Sequence, residues 1–377
     1  MIETPGFFWT ILFFLLAIGP LVFFHELGHY LVGRWCGVKA EVFSIGFGRE
    51  LTGWTDKRGT RWKIALLPLG GYVRFAGDMS AASEPSDEWK ALPLEERNRT
   101  FQAKSLWQRA LIVLAGPVAN FLVAIAIFMG VFAAYGQSRT PNIVGSVIAG
   151  SPAEKAGFAA GDKILAIGDT SIREFSEISD IVVLRPGVAI SFLVERGATQ
   201  QRIVAAPALK IVKDRFGNEV RLGQIGLGSG RPVLVNLSPL ELPGAAVAQT
   251  WRTVKSMVDG LVQIVMGRIS VKELGGPIKI AQYSGQTAAL GFVAFLGFVA
   301  LISINLGFIN LLPIPTLDGG HLFFYAIEAT IRRPVSMMVQ EWAYRSGFFA
   351  LMALMLFVTF NDLASFGLWN RLSGLIG

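Results

Sequence analysis

The chain has 377 residues, 52% of them hydrophobic and only 16% charged, where an ordinary soluble domain is about a quarter charged. That deficit points to membrane segments with length to spare for a water-facing domain, and the net charge of +7 reads as basic loops against anionic lipid, with no nucleic-acid partner. A single cysteine, Cys36, excludes an intrachain disulfide and a thiolate metal cluster, so any metal site must draw on carboxylates and on the three histidines, His25, His29 and His321.

The first predicted element is a membrane helix within residues 1–33. Gly6 to Phe24 carries no charge, and the run reaches the ~20 residues of a span only by including His25-Glu26-Leu27-Gly28-His29. It does not read as a cleaved leader: Glu3 has the wrong sign for a basic n-region, and no small-x-small site follows. Cys36 reads as a small hydrophobe. Residues 34–109 hold thirteen Lys or Arg, which by the positive-inside rule places this loop in the cytoplasm and the N-terminus outside. Glu41–Gly48, Leu51–Asp56, Thr60–Leu67 and Gly71–Phe75 alternate as short strands broken by glycine and predict β-hairpins. Ala81–Arg99 is polar and predicts a mobile loop.

Residues 110–138 form a second uncharged span. Gly116 and Ala119 permit close helix packing, and Asn120 is a polar group that needs a partner. From 139 to 232 the pattern changes to strands and turns: Ile143–Ile148, Lys163–Ile167, Ala189–Glu195 and Arg202–Ala206, with a short capped helix in Ser151-Pro152-Ala153-Glu154-Lys155-Ala156-Gly157. The run Ser151–Ile172 resembles a PDZ domain of the permuted bacterial type. Such domains take peptide C-termini by strand addition, although Thr140–Val144 is a poor match to a Gly-rich carboxylate loop. Within 233–288, Val247, Trp251, Val254, Val258, Leu261 and Val265 recur at helical spacing and predict an amphipathic interfacial helix. Residues 289–312 form a third span. The run Pro313-Ile314-Pro315-Thr316-Leu317-Asp318-Gly319-Gly320-His321 then breaks the helix. The loop 313–346 carries Arg332, Arg333 and Arg345, again basic, and a fourth span lies within 347–377. The fold class expected is a mainly α polytopic membrane protein: four transmembrane helices, a membrane-associated β-hairpin region and one inserted α+β domain.

On a helix, positions i and i+4 share a face, so His25 and His29 can offer two imidazoles to one ion with Glu26 beside them to handle protons. Asp318, at a helix break on the same predicted side of the bilayer, is the natural third ligand. Three protein ligands plus water is the pattern of catalytic Zn²⁺, and zinc lowers the pKa of bound water to about 7. Glu26 would accept the water proton and pass it to the leaving nitrogen. His321 reads as a helix-start residue near the site, because a fourth protein ligand would close the open position.

His25-Glu26-Leu27-Gly28-His29 in the first span, and Asn310-Leu311-Leu312-Pro313-Ile314-Pro315-Thr316-Leu317-Asp318-Gly319-Gly320 after the third, resemble the bacterial site-2 proteases, intramembrane zinc metalloproteases of the RseP type. The order of four spans with the PDZ-like insertion agrees, so the likeness covers nearly the whole chain. It implies that His25, His29 and Asp318 hold Zn²⁺, that Glu26 is catalytic, and that Asn310 helps hold the substrate backbone. It further implies that Phe43-Ser44-Ile45-Gly46 through Gly48, and Pro68 through Gly70, Gly71, Tyr72 and Phe75, form a membrane-reentrant β region that pairs with unwound substrate. The substrates implied are single-span membrane proteins, such as anti-sigma factors already trimmed by an upstream site-1-type protease, and remnant signal peptides. The setting implied is the bacterial inner membrane, with the PDZ-like domain periplasmic and acting as a size gate. Well-known members carry two tandem PDZ domains, and this chain has room for one. Two other classes remain open on the residues: a catalytically inactive PDZ membrane adaptor, and a metal transporter using His25 and Asp318.

Overall fold

The computed structural model describes residues 6–77, 89, 91–183, 185–213, 219–266 and 275–365. Four of its helices are long and apolar enough to cross a membrane: Phe7–Trp35, Leu106–Tyr135, Phe292–Asn310 and Met338–Leu363. The chain divides into two compact units, Met1–Met129 with Pro243–Val258 and Lys272–Gly377, and Gly130–Leu242 with Asp259–Val271.

The first unit begins with α1, Phe7–Trp35. The helix is apolar on all sides up to its histidines, as a span requires, and it runs through Pro20. Proline removes one backbone donor, but packing carries the helix across it, with Ala17, Leu21 and Val22 buried on either side. Strands β1 (Ala40–Thr55) and β2 (Arg61–Phe75) follow and pair antiparallel. Their pairing is double. Trp54 and Thr55 face Trp62 and Arg61 near the turn, while Val42 to Ile45 lie beside both Arg61–Ile64 and Gly71–Arg74. The strands therefore fold over, and in the described pairings the Gly71–Phe75 half has β1 on one side only. Phe43, Tyr30 and Trp62 pack into one aromatic cluster, with Phe43 and Trp62 stacked at 4.3 Å, and this fixes the sheet against α1. Of the loop expected over Ala81–Arg99, residues 81–88 and 90 lie outside the described residues, and Leu94–Arg97 forms a single turn, α2. The second long helix, α3, spans Leu106–Tyr135.

The second unit is α+β. Its elements are β3 (Gln137–Arg139), β4 (Val144–Val147), α4 (Pro152–Lys155), β5 (Lys163–Ile167), β6 (Thr170–Ser171), α5 (Phe175–Val183), β7 (Ile190–Arg196), β8 (Thr199–Ala205), β9 (Ala208–Lys213), β10 (Glu219–Gln224), β11 (Leu227–Ser229) and β12 (Val233–Val235). A four-stranded sheet runs β6-β5-β7-β8, and three further pairs are β9 with β10, β4 with β11 and β3 with β12. Alternation in β7 buries Ile190, Phe192 and Val194 against Val144, Ile164, Ile167 and Ile178. The Ser151 hydroxyl accepts from the Glu154 amide and caps α4. Asp162, 1% exposed, receives two hydrogen bonds from the Arg196 guanidinium at 2.6 and 2.7 Å. Burial pushes its carboxyl up, but the Arg196 hydrogen bonds and the Ala159 amide outweigh that and hold it below the usual carboxylate range.

The chain continues with α6, Leu242–Val265, of which Val254 and Met257 pack on Ala124, Ala300 and Ile304 of the first unit. Then come α7 (Pro277–Ala289), α8 (Phe292–Asn310), α9 (Asp318–Ile331) and α10 (Met337–Ser365). Helix α7 packs along α1, where Gly285 meets Thr10. Its N-terminus is held by Asp362 of α10, which is fully buried and accepts from the amides of Gly276 (3.0 Å) and Lys279 (3.2 Å), with Lys279 Nζ at 3.5 Å. The carboxylate thereby satisfies amides that a helix start leaves open.

Candidate metal centre

Three ligand-type atoms converge inside the first unit. His25 Nε2 and His29 Nε2 are 3.2 Å apart, and Asp318 Oδ2 lies 3.3 Å from the first and 3.5 Å from the second. Zinc–nitrogen and zinc–oxygen distances of about 2.0–2.1 Å place the corners of a tetrahedron roughly 3.3 Å from one another. The three separations therefore match three corners around one ion. Asp318 Oδ2 is buried and makes no hydrogen bond, which is the state of an atom reserved for a ligand.

Each group is aimed by its own element. His25 and His29 share a face of α1, one turn apart. Asp318 opens α9 after a sharp reversal in which the Ile314 amide bonds back to Leu312 O at 2.7 Å and Thr316 takes φ +87°. Gly319 and Gly320 seat α9 on that turn: a Cβ at Gly319 would collide with the carbonyls of Leu311 and Leu312, and one at Gly320 with that of Ile314. Helix α9 is also pinned to α3, since Arg109 pairs with Glu328 at 3.2 Å and lies over the Tyr325 ring.

The outer nitrogens of both rings are occupied from α3. His29 Nδ1 lies 2.8 Å from the Ile112 carbonyl. A carbonyl only accepts, so Nδ1 carries the hydrogen and Nε2 is bare. Gly116, one turn along α3, leaves room for the ring, because a Cβ there would strike His29 Nε2. His25 Nδ1 lies 3.0 Å from Asn120 Nδ2, while Asn120 Oδ1 is buried without a partner among the described residues, which favours the amide flipped end for end. With the amide turned so that Oδ1 faces the ring, Nδ1–H donates to it and His25 Nε2 is bare as well. The donor set, its spacing and its outer contacts thus fit zinc.

These groups line a cavity of about 540 Å³ together with Glu26, Gly71, Tyr72, Val73, Asn310, Thr316 and His321. A Cβ built on Gly71 would lie 2.9 Å from Glu26 Cγ, so Glu26 stands directly against the open half of β2. Of the residues expected to meet substrate, Asn310, Gly71 and Tyr72 are on the cavity wall. Phe43, Ser44, Ile45, Gly46 and Gly70 are not. Phe43 and Ser44 are buried in the strand behind, where Ser44 Oγ donates to Gly46 O at 2.9 Å, and Gly70 sits against Phe47. Of the residues that support the site, Asn120 had a signal in sequence as a polar group in an apolar span, and Gly116 as a small residue at a helix contact, whereas the parts of Ile112 and Thr316 had none.

The second unit has a smaller cavity of about 160 Å³, bounded by Ile178 and Val182 of α5 and by Gly223–Leu227. Gly223 and Gly226 on its border belong to a glycine-rich run from Gly223 to Gly230.

Residues 13–354 match the family described as Peptidase family M50. A protein of Mesorhizobium japonicum named as a zinc metalloprotease is 44% identical over 360 residues, covering 94% of this chain and 98% of that one. Metalloprotease MmpA of Caulobacter vibrioides is 38% identical over 395 residues, covering 98% and 99%. Among solved structures, the PDZ domain of an SdrC-like protein from Listeria monocytogenes covers 25% of this chain and 90% of its own, at 20% identity and a TM-score of 0.19. A family match over most of the length, and relatives above the level at which kinship is in question, meet a site built for zinc: the chain belongs to the M50 peptidases and is a zinc metalloprotease.

Proposed function

We propose that the chain hydrolyses peptide bonds within transmembrane segments of single-span proteins, with His25, His29 and Asp318 holding the zinc and Glu26 moving the proton. The observation that carries this reading is that His25, Glu26 and His29 stand on a helix of membrane-crossing length and composition, beside a strand half with an open edge. A segment drawn from the bilayer as a helix has no free backbone donors. Once unwound it needs them, and Gly71–Phe75 offers a ladder beside the cavity. Asn310, also on the cavity wall, would hold the substrate backbone, and Tyr72 would cover it.

Bound zinc supplies Lewis-acid polarisation and a water of lowered pKa. The protein's part is the proton. Glu26 takes it from the water as the water oxygen bonds to the carbonyl carbon, and returns it to the nitrogen as the C–N bond breaks. Ile112 and Asn120 hold the imidazoles in the tautomer the ion needs.

The reading places the protein in a bacterial inner membrane, with residues 34–109 cytoplasmic and the α+β unit on the far side as a size gate. Its substrates are anti-sigma factors after a first cut by another protease, and remnant signal peptides. The test is Glu26→Gln in the full chain. Cleavage of a reporter transmembrane peptide should fall at least 100-fold while zinc content stays near one per chain; unchanged cleavage sinks the mechanism. Quantitative membrane proteomics of the same variant should show accumulated single-span fragments. A reporter fused at position 85 that reads as extracytoplasmic would overturn the topology.

A further inference from the structure

His321 lines the metal cavity, three residues after Asp318 on the same helix. Its Nδ1 is 2.8 Å from the hydroxyl of Tyr344, a buried residue of α10. The two rings lie 5.0 Å apart, and the Phe324 ring packs against the tyrosine at 5.7 Å. Nε2 makes no hydrogen bond to any described residue. The site thus contains an imidazole that is fixed on one side, open on the other, and without a part in holding the ion.

The Tyr344 contact decides what the open nitrogen can do. A phenol is the more acidic partner and its oxygen lone pair is drawn into the ring, so O–H donates and Nδ1 accepts. The hydrogen of a neutral imidazole then resides on Nε2. A nitrogen carrying hydrogen cannot ligate a metal, and it can donate to an oxygen. Burial pushes the His321 imidazole below its ordinary value, which keeps the ring neutral.

We propose that His321 is a catalytic hydrogen-bond donor to the scissile carbonyl oxygen, and that Tyr344 is the positioning residue that sets its tautomer. The proposal rests on the peptidase reading and adds an electrophilic partner to it. When the water oxygen bonds to the carbonyl carbon, the π pair of the C=O bond moves onto that oxygen and Glu26 takes the water proton. His321 Nε2–H donates to the oxygen as its charge grows and keeps its own proton throughout. The pair returns to reform C=O as the C–N bond breaks, and Glu26 protonates the departing nitrogen. A preorganised donor aimed at a developing oxyanion contributes roughly 100- to 1000-fold in rate.

The experiment uses the full zinc-loaded chain in detergent with a quenched transmembrane peptide. His321→Phe should lower kcat by about 100-fold, with KM within about twofold and zinc at one per chain. His321→Gln keeps an N–H and should recover a measurable part of the loss. Tyr344→Phe should lower kcat by several-fold without moving KM. A second measurement does not depend on turnover. A phosphinic peptide, whose tetrahedral oxygens imitate the addition step, should bind His321→Phe about 100-fold more weakly than the unsubstituted chain. The uncut amide peptide should bind Glu26→Gln equally well with and without His321→Phe. Equal phosphinic affinity, or a kcat within twofold, overturns the assignment. Loss of zinc in His321→Phe also overturns it, in favour of a fourth ligand. If the unsubstituted chain cuts no membrane peptide, the intramembrane reading fails by itself, and the phosphinic comparison still decides on His321.

Discussion

Replacing Gly116 by alanine adds one carbon 2.1 Å from His29 Nε2. The built Cβ would also lie 2.5 Å from His29 Cε1 and 2.8 Å from Cδ2, so the ring must retreat by about 1 Å to reach ordinary contact. It cannot swing freely, because Nδ1 is held by Ile112 O at 2.8 Å on the same helix. The α1–α3 interface cannot open cheaply either, since Gly28 already rests on the Ala115 carbonyl. Overpacking of this kind costs about 1–3 kcal/mol. If most of that falls on the ligand geometry, zinc affinity drops by about 10- to 100-fold. The assay is competition for zinc against a chromophoric chelator, with hydrogen exchange over residues 106–125 as the control for folding. Unchanged affinity with unchanged exchange would refute the claim that Gly116 exists to seat His29.

Asp362→Ala strips the amides of Gly276 and Lys279 of their acceptor in a buried place. It should cost about 2–4 kcal/mol, seen as faster exchange at residues 276–280. Thr316→Gly removes a β-branched side chain from φ +87° and should raise thermal stability by about 1 kcal/mol; a fall would mean that the threonine's buried hydroxyl is bonded in the working protein. Asp162 has its carboxyl held below the unfolded value of about 3.9. Its contribution is therefore complete above about pH 4 and is lost as pH falls through the lowered folded value. Exchange protection in β5 and β7 of the full chain should decline below pH 4, and Asp162→Asn should weaken it at neutral pH while flattening that decline. A pH-independent gap between the two proteins would refute the linkage.

The parts of the site that carry chemistry in their own side chains were legible in the sequence: two histidines one turn apart, a glutamate between them, and an aspartate at a proline-broken helix start. The long spans were legible for the same reason, as charge-free runs have few alternatives. What could not be read is whatever depends on backbone or on distant pairing. The Ile112 carbonyl has no residue signature. His321 and Tyr344 meet from two helices with only a 23-residue separation to suggest it. Strand positions were visible from alternation and glycine, but the double pairing of Val42–Ile45 is a tertiary fact. It puts Phe43 and Ser44, expected in the β region that pairs with substrate, in the strand behind the cavity wall. In the α+β unit, β5 stood out by its apolar run, whereas β9 to β12 are short, polar or weakly alternating and left no trace.

The ligand set is also a clock. His25 and His29 leave the ribosome about 290 residues before Asp318. Until then the growing chain has two imidazoles and a glutamate but no third corner. Two neutral nitrogens hold zinc far more weakly than a completed site. Synthesis order thus leaves the donor set incomplete while the second and third apolar helices are made, and it closes only when α9 has folded back onto α1.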